Sequence, residues 1–517
     1  MQKRMLKNEK GSITLFVLLA ILFFVIIVFG LFVSSSNKNV IQSSELDKIK
    51  EEYQESINNI NQIYNDTVSK VEKPASGEGN NFDMSNGVIE IEFLEGTSYN
   101  ITQTPNHPAL KSGMTAITYN SNGTVNTVSN SNGTDWYSYV AGSGTSDNNA
   151  SRWANAKVTV NNVDSYFVWI PRYAYRIIYF DSSTSKEQYK EGTLSEEDAI
   201  AKGKIVGYSD SRGIVDTEGR TKPGVSVQTT VPIGRKRFKT HPVFDGDVNY
   251  GGWAEDDGTP VKLQGIWVAK YEASSVEGNS NSESGDNVTT KHIKIQPGVQ
   301  SWRNISIENM FINAKNYNQS LNSHLLKNSE WGAIAYLTES KYGRNGTEIV
   351  TNNNNLYITG SSDGYTNSLD TSYEYNTSNG KLASTTGNIY GIYDLSGGAW
   401  EYVSGYLKNG NYSYANTTFT NGTSNAYSTV YEAKSENEDE VIPPEEYTKI
   451  LTLKYGDATY ETSGWHNDTA RFGGKNSPFF VRGGDYSHKS LRGVFFFSSN
   501  KGIFYNYSSF RICLIVT

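Results

Sequence analysis

The chain begins with an apolar run from Ile13 to Val33, interrupted only by Thr14 and Gly30. At a rise of about 1.5 Å per residue a helix of this length would reach about 31 Å, enough to cross the hydrocarbon core of a bilayer. Farther on, Leu46, Ile49, Tyr53, Ile57, Ile60, Tyr64 and Val68 recur at steps of three and four residues. This spacing predicts a helix from Ser44 to about Ser69, straight or slightly right-handed in its supercoil, with Ser44 and Asp47 as its capping pair. It reads equally as a self-associating stalk, which would make a homo-oligomer, and as a single amphipathic spacer. Lys73 to Gly79 then has linker composition.

From Gly87 the pattern changes to short alternating runs between turn residues. Val88 to Phe93 alternates apolar and acidic positions, the pattern of a half-buried strand. Ala116–Tyr119 and Thr124–Val128 flank Asn122-Gly123 as a hairpin would, and Asn132-Gly133 marks a further turn before Trp136. Beyond Tyr166, Phe167–Pro171 and Gly265–Glu272 predict buried strands. Ile305–Ala314 and Gly332–Leu337 predict helices, the second capped by Ser329, and Ile512–Val516 predicts a last buried strand. The expected organisation is an anchor at 1–42, stalk and linker at 43–75, and a β-rich subdomain at 76–165. The head follows at 166–517, with insertions near 183–258 and 405–475.

Charge gives the anchor a direction. Lys3, Arg4, Lys7 and Lys10 precede the apolar run, and the first basic residue after it is Lys38. The positive-inside rule then keeps the N-terminus cytoplasmic and places everything after residue 34 outside the cell, single-pass. A cleaved signal would have a shorter apolar core. The 517 residues carry a net charge of -8, which argues against nucleic acid as the main partner. With 35 Tyr, 21 Phe and 9 Trp, most of the chain is too aromatic to be disordered. The lone cysteine, Cys513, excludes an intrachain disulfide and reads as a small core hydrophobe.

Several segments appear in a fixed order: Phe167-Val168-Trp169-Ile170-Pro171, Gly265 to Glu272, Val299-Gln300-Ser301-Trp302 and Asn328-Ser329-Glu330-Trp331. They continue with Gly391 to Val403, Arg482-Gly483-Gly484 and Phe510-Arg511. Together they resemble the formylglycine-generating enzyme family, whose fold is related to C-type lectins. The resemblance implies an α+β, lectin-like head over roughly residues 166–517. Fold does not by itself settle function. Enzymes of that family bind copper through two cysteines near the C-terminus, and the corresponding stretch here, Ser487 to Phe497, has none. Related sulfoxide synthases hold iron with histidines, whereas His107, His241, His292, His324, His466 and His488 are scattered. Some members bind calcium at the turn where Gly398 replaces an asparagine and Glu401 remains. Calcium there, or in the acidic run Glu436 to Glu446, is the weaker reading beside a backbone-bonding Glu401 and a solvated loop. No cofactor is therefore expected. Lys10 to Phe16 is also similar to pilin-like N-termini, but Phe16 stands in place of the pilin glutamate.

The C-terminal stretch is an aromatic and small-polar patchwork: Asp485, Tyr486, Ser487, His488 and Ser490, then Phe495, Phe497, Ser499 and Asn500, then Tyr505, Asn506 and Tyr507. Tyr beside Ser and Asn is the composition of recognition surfaces, rigid contact area next to adaptable hydrogen bonds. The arrangement resembles lectin-fold receptors diversified by retroelements. The expectation is a surface-displayed, non-catalytic receptor or adhesin for an extracellular protein or glycan. The alternatives are a metal-dependent oxidase and a pilus-like subunit. Phe495 and Phe497 also fit ordinary strand packing, facing the core.

Overall fold

The computed structural model describes residues 83–517, except 132–134, 142–150, 211–212, 217–237, 256, 279–286, 365–369, 409, 416, 421–424, 433–453 and 489–491. The apolar run at 13–33, the stalk helix at 44–69, the linker and the Asn132-Gly133 turn lie outside the described residues.

The centre is a seven-stranded antiparallel sheet in the order His324–Leu325, Ile512–Leu514, Gly265–Ala269, Val163–Pro171, Asn155–Val160, Met114–Tyr119, Val125–Thr127. Phe167 to Ile170 is apolar at every position because both faces of that strand are buried. Trp267 lies opposite Trp169, and Val268 sits between Val168 and Cys513. The chain's last strand therefore lies inside the sheet, between Gly265–Ala269 and His324–Leu325. At Arg172, a fully buried guanidinium that donates to the carbonyls of Ser98 and Phe244, the chain passes into a second sheet. There Gly87–Leu94 pairs with Tyr173–Phe180, which pairs in turn with Ile205–Asp210. A third sheet is built on Trp400–Leu407. Phe479–Arg482 is antiparallel to it, while Thr429–Tyr431 and Ser508–Phe510 are parallel to it.

The helix Asn328–Glu339 is buried along its whole length. Glu330 accepts the Lys327 N–H at 2.8 Å at its start, so the capping interaction comes from Glu330 and not from Ser329. A Cβ on Gly332 would lie 2.0 Å from the Gly456 carbonyl, so only glycine lets helix and loop approach this closely. The buried Glu461 carboxylate links this helix to the second sheet. It accepts from Tyr175 at 2.7 Å, Tyr336 at 2.9 Å and Lys239 at 3.1 Å.

The α+β class read from the sequence is corrected. The regular structure of the described residues is mostly β-sheet, and their helices of eight or more residues are Ser183–Lys190, Ile307–Tyr317 and Asn328–Glu339. None is long and apolar enough to cross a membrane, and neither an N-terminal membrane helix nor a helical stalk is among the described elements. The physical reason is the chain's texture: short runs between Gly and Asn turns leave few stretches long enough for a helix to repay its nucleation. A boundary near residue 165 would cut the ladder between Asn155–Val160 and Val163–Pro171, and the chain from Phe82 to Thr517 forms one compact unit.

Candidate functional site

One buried knot holds the site's foundations. Arg511 donates to Glu401 at 2.6 and 3.0 Å, to the Ala269 carbonyl at 2.8 Å and to the Tyr393 carbonyl at 2.8 Å. It thereby joins the central sheet, the 391–399 turn and the first residues of the third sheet. Glu401 thus directs both oxygens to Arg511 and none to the backbone near Trp400, which also removes it as a ready calcium ligand. Burial pushes Glu401 up to about 7, against the pull of Arg511. Gly397 and Gly398 both have left-handed φ, 77° and 72°, and Glu272 caps the turn by accepting the Ala399 N–H at 2.8 Å. That turn delivers Trp400 to the surface.

Around Trp400 the rings form a continuous ledge. Its ring centroid lies 5.5 Å from Tyr507 and 5.6 Å from His488, and the Arg492 guanidinium lies over it at 5.3 Å. Tyr505 and Tyr507 stack at 4.9 Å with an interplanar angle of 11°. Backbone bonds fix them: Trp400 N–H donates to Tyr507 O and Asn304 N–H to Tyr505 O, both at 2.9 Å. Tyr486 meets Tyr357 edge-on at 5.1 Å, and Arg303 covers the Tyr357 ring at 3.9 Å. Arg303 also donates to the Asn506 carbonyl, and both residues line a pocket of about 270 Å³ that is bordered further by Gln300, Asn304 and Asn355. This is just under the ~300–1,000 Å³ usual for drug-sized ligands, so it suits one sugar ring or side chain. His488 is held at 2.7 Å from Asp485, and burial lowers it, so the imidazole is largely neutral at pH 7.

The sequence-read residues separate into two groups. Asp485, Tyr486, Ser487, His488, Tyr505, Asn506 and Tyr507 gather about Trp400, with Asp485 mostly buried and orienting Ser487 and His488. Phe495 and Phe497 are buried and correct the surface reading: Phe495 packs on Trp465, Phe497 on Phe472 and Phe480. Ser499 and Asn500 belong to the strand Phe497–Asn500, where Asn500 accepts the Tyr402 hydroxyl at 2.6 Å. Ser490 lies outside the described residues. Trp400, Arg303, Tyr357 and Arg492 were missed. Arg303 and Tyr357 reach the ledge from other parts of the chain, Trp400 stands at the start of the strand Trp400–Leu407, and Arg492 lies in the C-terminal segment itself, where an aromatic and small-polar pattern does not include it.

Two polar clusters lie elsewhere. His324, Glu330 and Cys513 bring donor atoms within 4.8 Å of one another, all buried. His324 is a fully buried residue on the strand His324–Leu325. The Glu330 carboxylate already accepts from Lys327 N–H and faces His324 Nε2 at 3.0 Å, and the Lys327 ammonium stands 3.8 Å away. A dication there would meet that ammonium, and burial pushes the Cys513 thiol well up, away from the thiolate a metal or nucleophile needs. The cluster reads as a satisfied ionic core.

The second cluster supports the C-terminal segment. Asp468 accepts the N–H groups of Gly493 at 2.5 Å and Phe495 at 3.0 Å, while His466 pairs with Glu339 at 3.0 Å. Burial raises Asp468 to about 6. A raised carboxylate binds its proton more tightly in the native state, so its share of stability is lost as pH rises from about 4 to about 6, on the order of 2–3 kcal/mol. Asp468→Asn is expected to gain on the wild type by that amount between pH 4 and pH 7. Parallel unfolding free energies for the two proteins across that range would contradict it.

No protein-family model matches the chain, and no curated protein sequence is significantly similar to it.

Proposed function

We propose that the protein is a non-catalytic recognition protein whose ligand, an extracellular glycan or protein, docks on the ledge of Trp400, Tyr486, His488, Tyr505 and Tyr507. The observation that carries this reading is the stacked Tyr505–Tyr507 pair beside Trp400, a flat aromatic platform flanked by the pocket of Arg303 and Asn506. Aromatic faces offer contact area at low entropic cost, and the amides around them supply adaptable hydrogen bonds. The motif resemblance supports descent from a formylglycine-generating enzyme-like ancestor, and the lack of cysteines between Ser487 and Phe497 supports loss of its copper chemistry. The apolar run Ile13 to Val33 with its basic flank supports a place at the cell membrane, the ledge facing outward.

A glycan array and an array of extracellular protein fragments, probed with the full chain, test the proposal. Retention on a subset of spots, lost by Tyr505→Ser/Tyr507→Ser at unchanged melting temperature, is expected. Equal retention of wild type and variant would overturn it.

A further inference from the structure

One end of the ledge carries more positive charge than it neutralises. The Arg492 guanidinium lies over the Trp400 ring at 5.3 Å and over the Phe496 ring at 4.9 Å, and its stem rests against Gly484. The two rings hold the fork in place without supplying an acceptor. Arg492 is half-buried, and among the described residues its guanidinium makes no hydrogen bond and no ion pair. Burial lowers its pKa, Asp485 pulls it up, and the exposed Arg471 pushes it down. Asp485 is already committed to Ser487 and His488. Two guanidiniums thus stand against one engaged carboxylate, an excess that favours an incoming anion. A guanidinium fork meets a planar or tetrahedral oxyanion with two parallel, charge-assisted bonds.

The other end is neutral and rich in amides. From Trp400 the rings lead to Tyr507, and Asn506, next to it in sequence, lines the pocket of about 270 Å³. Gln300, Asn304 and Asn355 border the same pocket, and Asn355 and Asn506 are exposed. An amide side chain offers both donors and an acceptor oxygen, which suits hydroxyls that donate and accept. A sugar ring combines such hydroxyls on its rim with an apolar face that can lie flat on aromatic rings.

We infer that the ligand of the ledge is an acidic glycan, its carboxylate or sulfate held by Arg492 with Arg471 adding to the attraction, and a neighbouring ring held by the amides of the pocket. This rests on the ledge being a recognition surface. An acidic peptide would satisfy Arg492 but bring few hydroxyls to the row of amides, so the glycan is the better fit.

The test titrates the full chain with a galacturonic acid tetrasaccharide, its methyl ester, sulfated maltotetraose, plain maltotetraose and a Glu-Tyr decapeptide. At least one acidic sugar is expected to bind about tenfold or more tightly than its neutral counterpart and than the peptide, and which one separates carboxylate from sulfate. The preference should shrink as salt rises from about 50 to about 300 mM. Arg492→Gln is expected to cut the acid-to-neutral ratio to below about twofold. Arg471→Gln, at an exposed position, should cut it about threefold, and it carries the test if the Arg492 change disturbs the loop. Equal binding of acidic and neutral sugars, both lost by Tyr505→Ser/Tyr507→Ser, would overturn the inference and leave the ledge a recognition surface. Tighter binding of the peptide would overturn it too. So would failure of all five probes, while retention on the arrays decides the ledge reading separately.

Discussion

Arg511→Met is expected to destabilise the fold by about 3–5 kcal/mol, the cost of removing one partner from a buried ion pair. Arg511 is fully buried and makes four hydrogen bonds, two to Glu401 and one each to the carbonyls of Ala269 and Tyr393. Methionine fills much of the volume but leaves Glu401 without its cation and two carbonyls without donors. Glu272 and Asp394, both raised by burial, act on Glu401 or Glu272 from nearby and deepen the penalty for any ionised carboxyl left there. Glu401→Gln in the same chain removes the stranded charge, so the double variant should recover part of the loss. Denaturant unfolding of the single and double variants measures both effects. A single-variant loss below about 1 kcal/mol would mean that the knot does not hold the sheets together.

Trp331→Ala is the second large effect, about 3–5 kcal/mol from the transfer and cavity terms of a deleted buried indole. Trp331 is fully enclosed in the Asn328–Glu339 helix and donates its indole N–H to Val494 O at 2.7 Å. Its ring is also packed close to Gly483, where the chain turns into the Asp485–His488 loop. Trp331→Phe keeps most of the volume and loses the N–H, so about 1–2 kcal/mol is expected from the orphaned Val494 carbonyl. Because the ring at this position packs beside Gly483, where the loop begins, the alanine variant should also lose ligand at the ledge while the phenylalanine variant, which keeps most of that ring, retains it. Both are read by unfolding and binding titrations on the same preparations.

Local elements were legible where their pattern is local. The alternation of Val88 to Phe93 marks a strand that runs from Gly87 to Leu94, and the continuous apolar run at Phe167–Pro171 marks one that runs from Val163 to Pro171. The helices predicted at Ile305–Ala314 and Gly332–Leu337 form at Ile307–Tyr317 and Asn328–Glu339. The class was misread because seven motif segments carried a family expectation, while the bulk of the described residues is short strands and loops. Pairing was invisible for a different reason. That the last strand, Ile512–Leu514, lies between Gly265–Ala269 and His324–Leu325 depends on contacts far apart in sequence. The candidate site was half legible. Tyr486, His488, Tyr505 and Tyr507 come from one polar-aromatic stretch, but Arg303, Tyr357 and Trp400 join them only through tertiary packing. Phe495 and Phe497 were read from composition as surface contacts with core packing as the alternative, and both side chains lie in the core.

The most direct test of the ledge is hydroxyl-radical footprinting of the full chain with and without the glycan or protein fragment that retains it. Protection of Trp400, Tyr486, His488, Tyr505 and Tyr507 is expected, with exposed Tyr99 and Tyr414 equally oxidised in both samples. Unchanged oxidation across the ledge, with protection appearing at Tyr99 or Tyr414, would contradict the assignment of recognition to this surface.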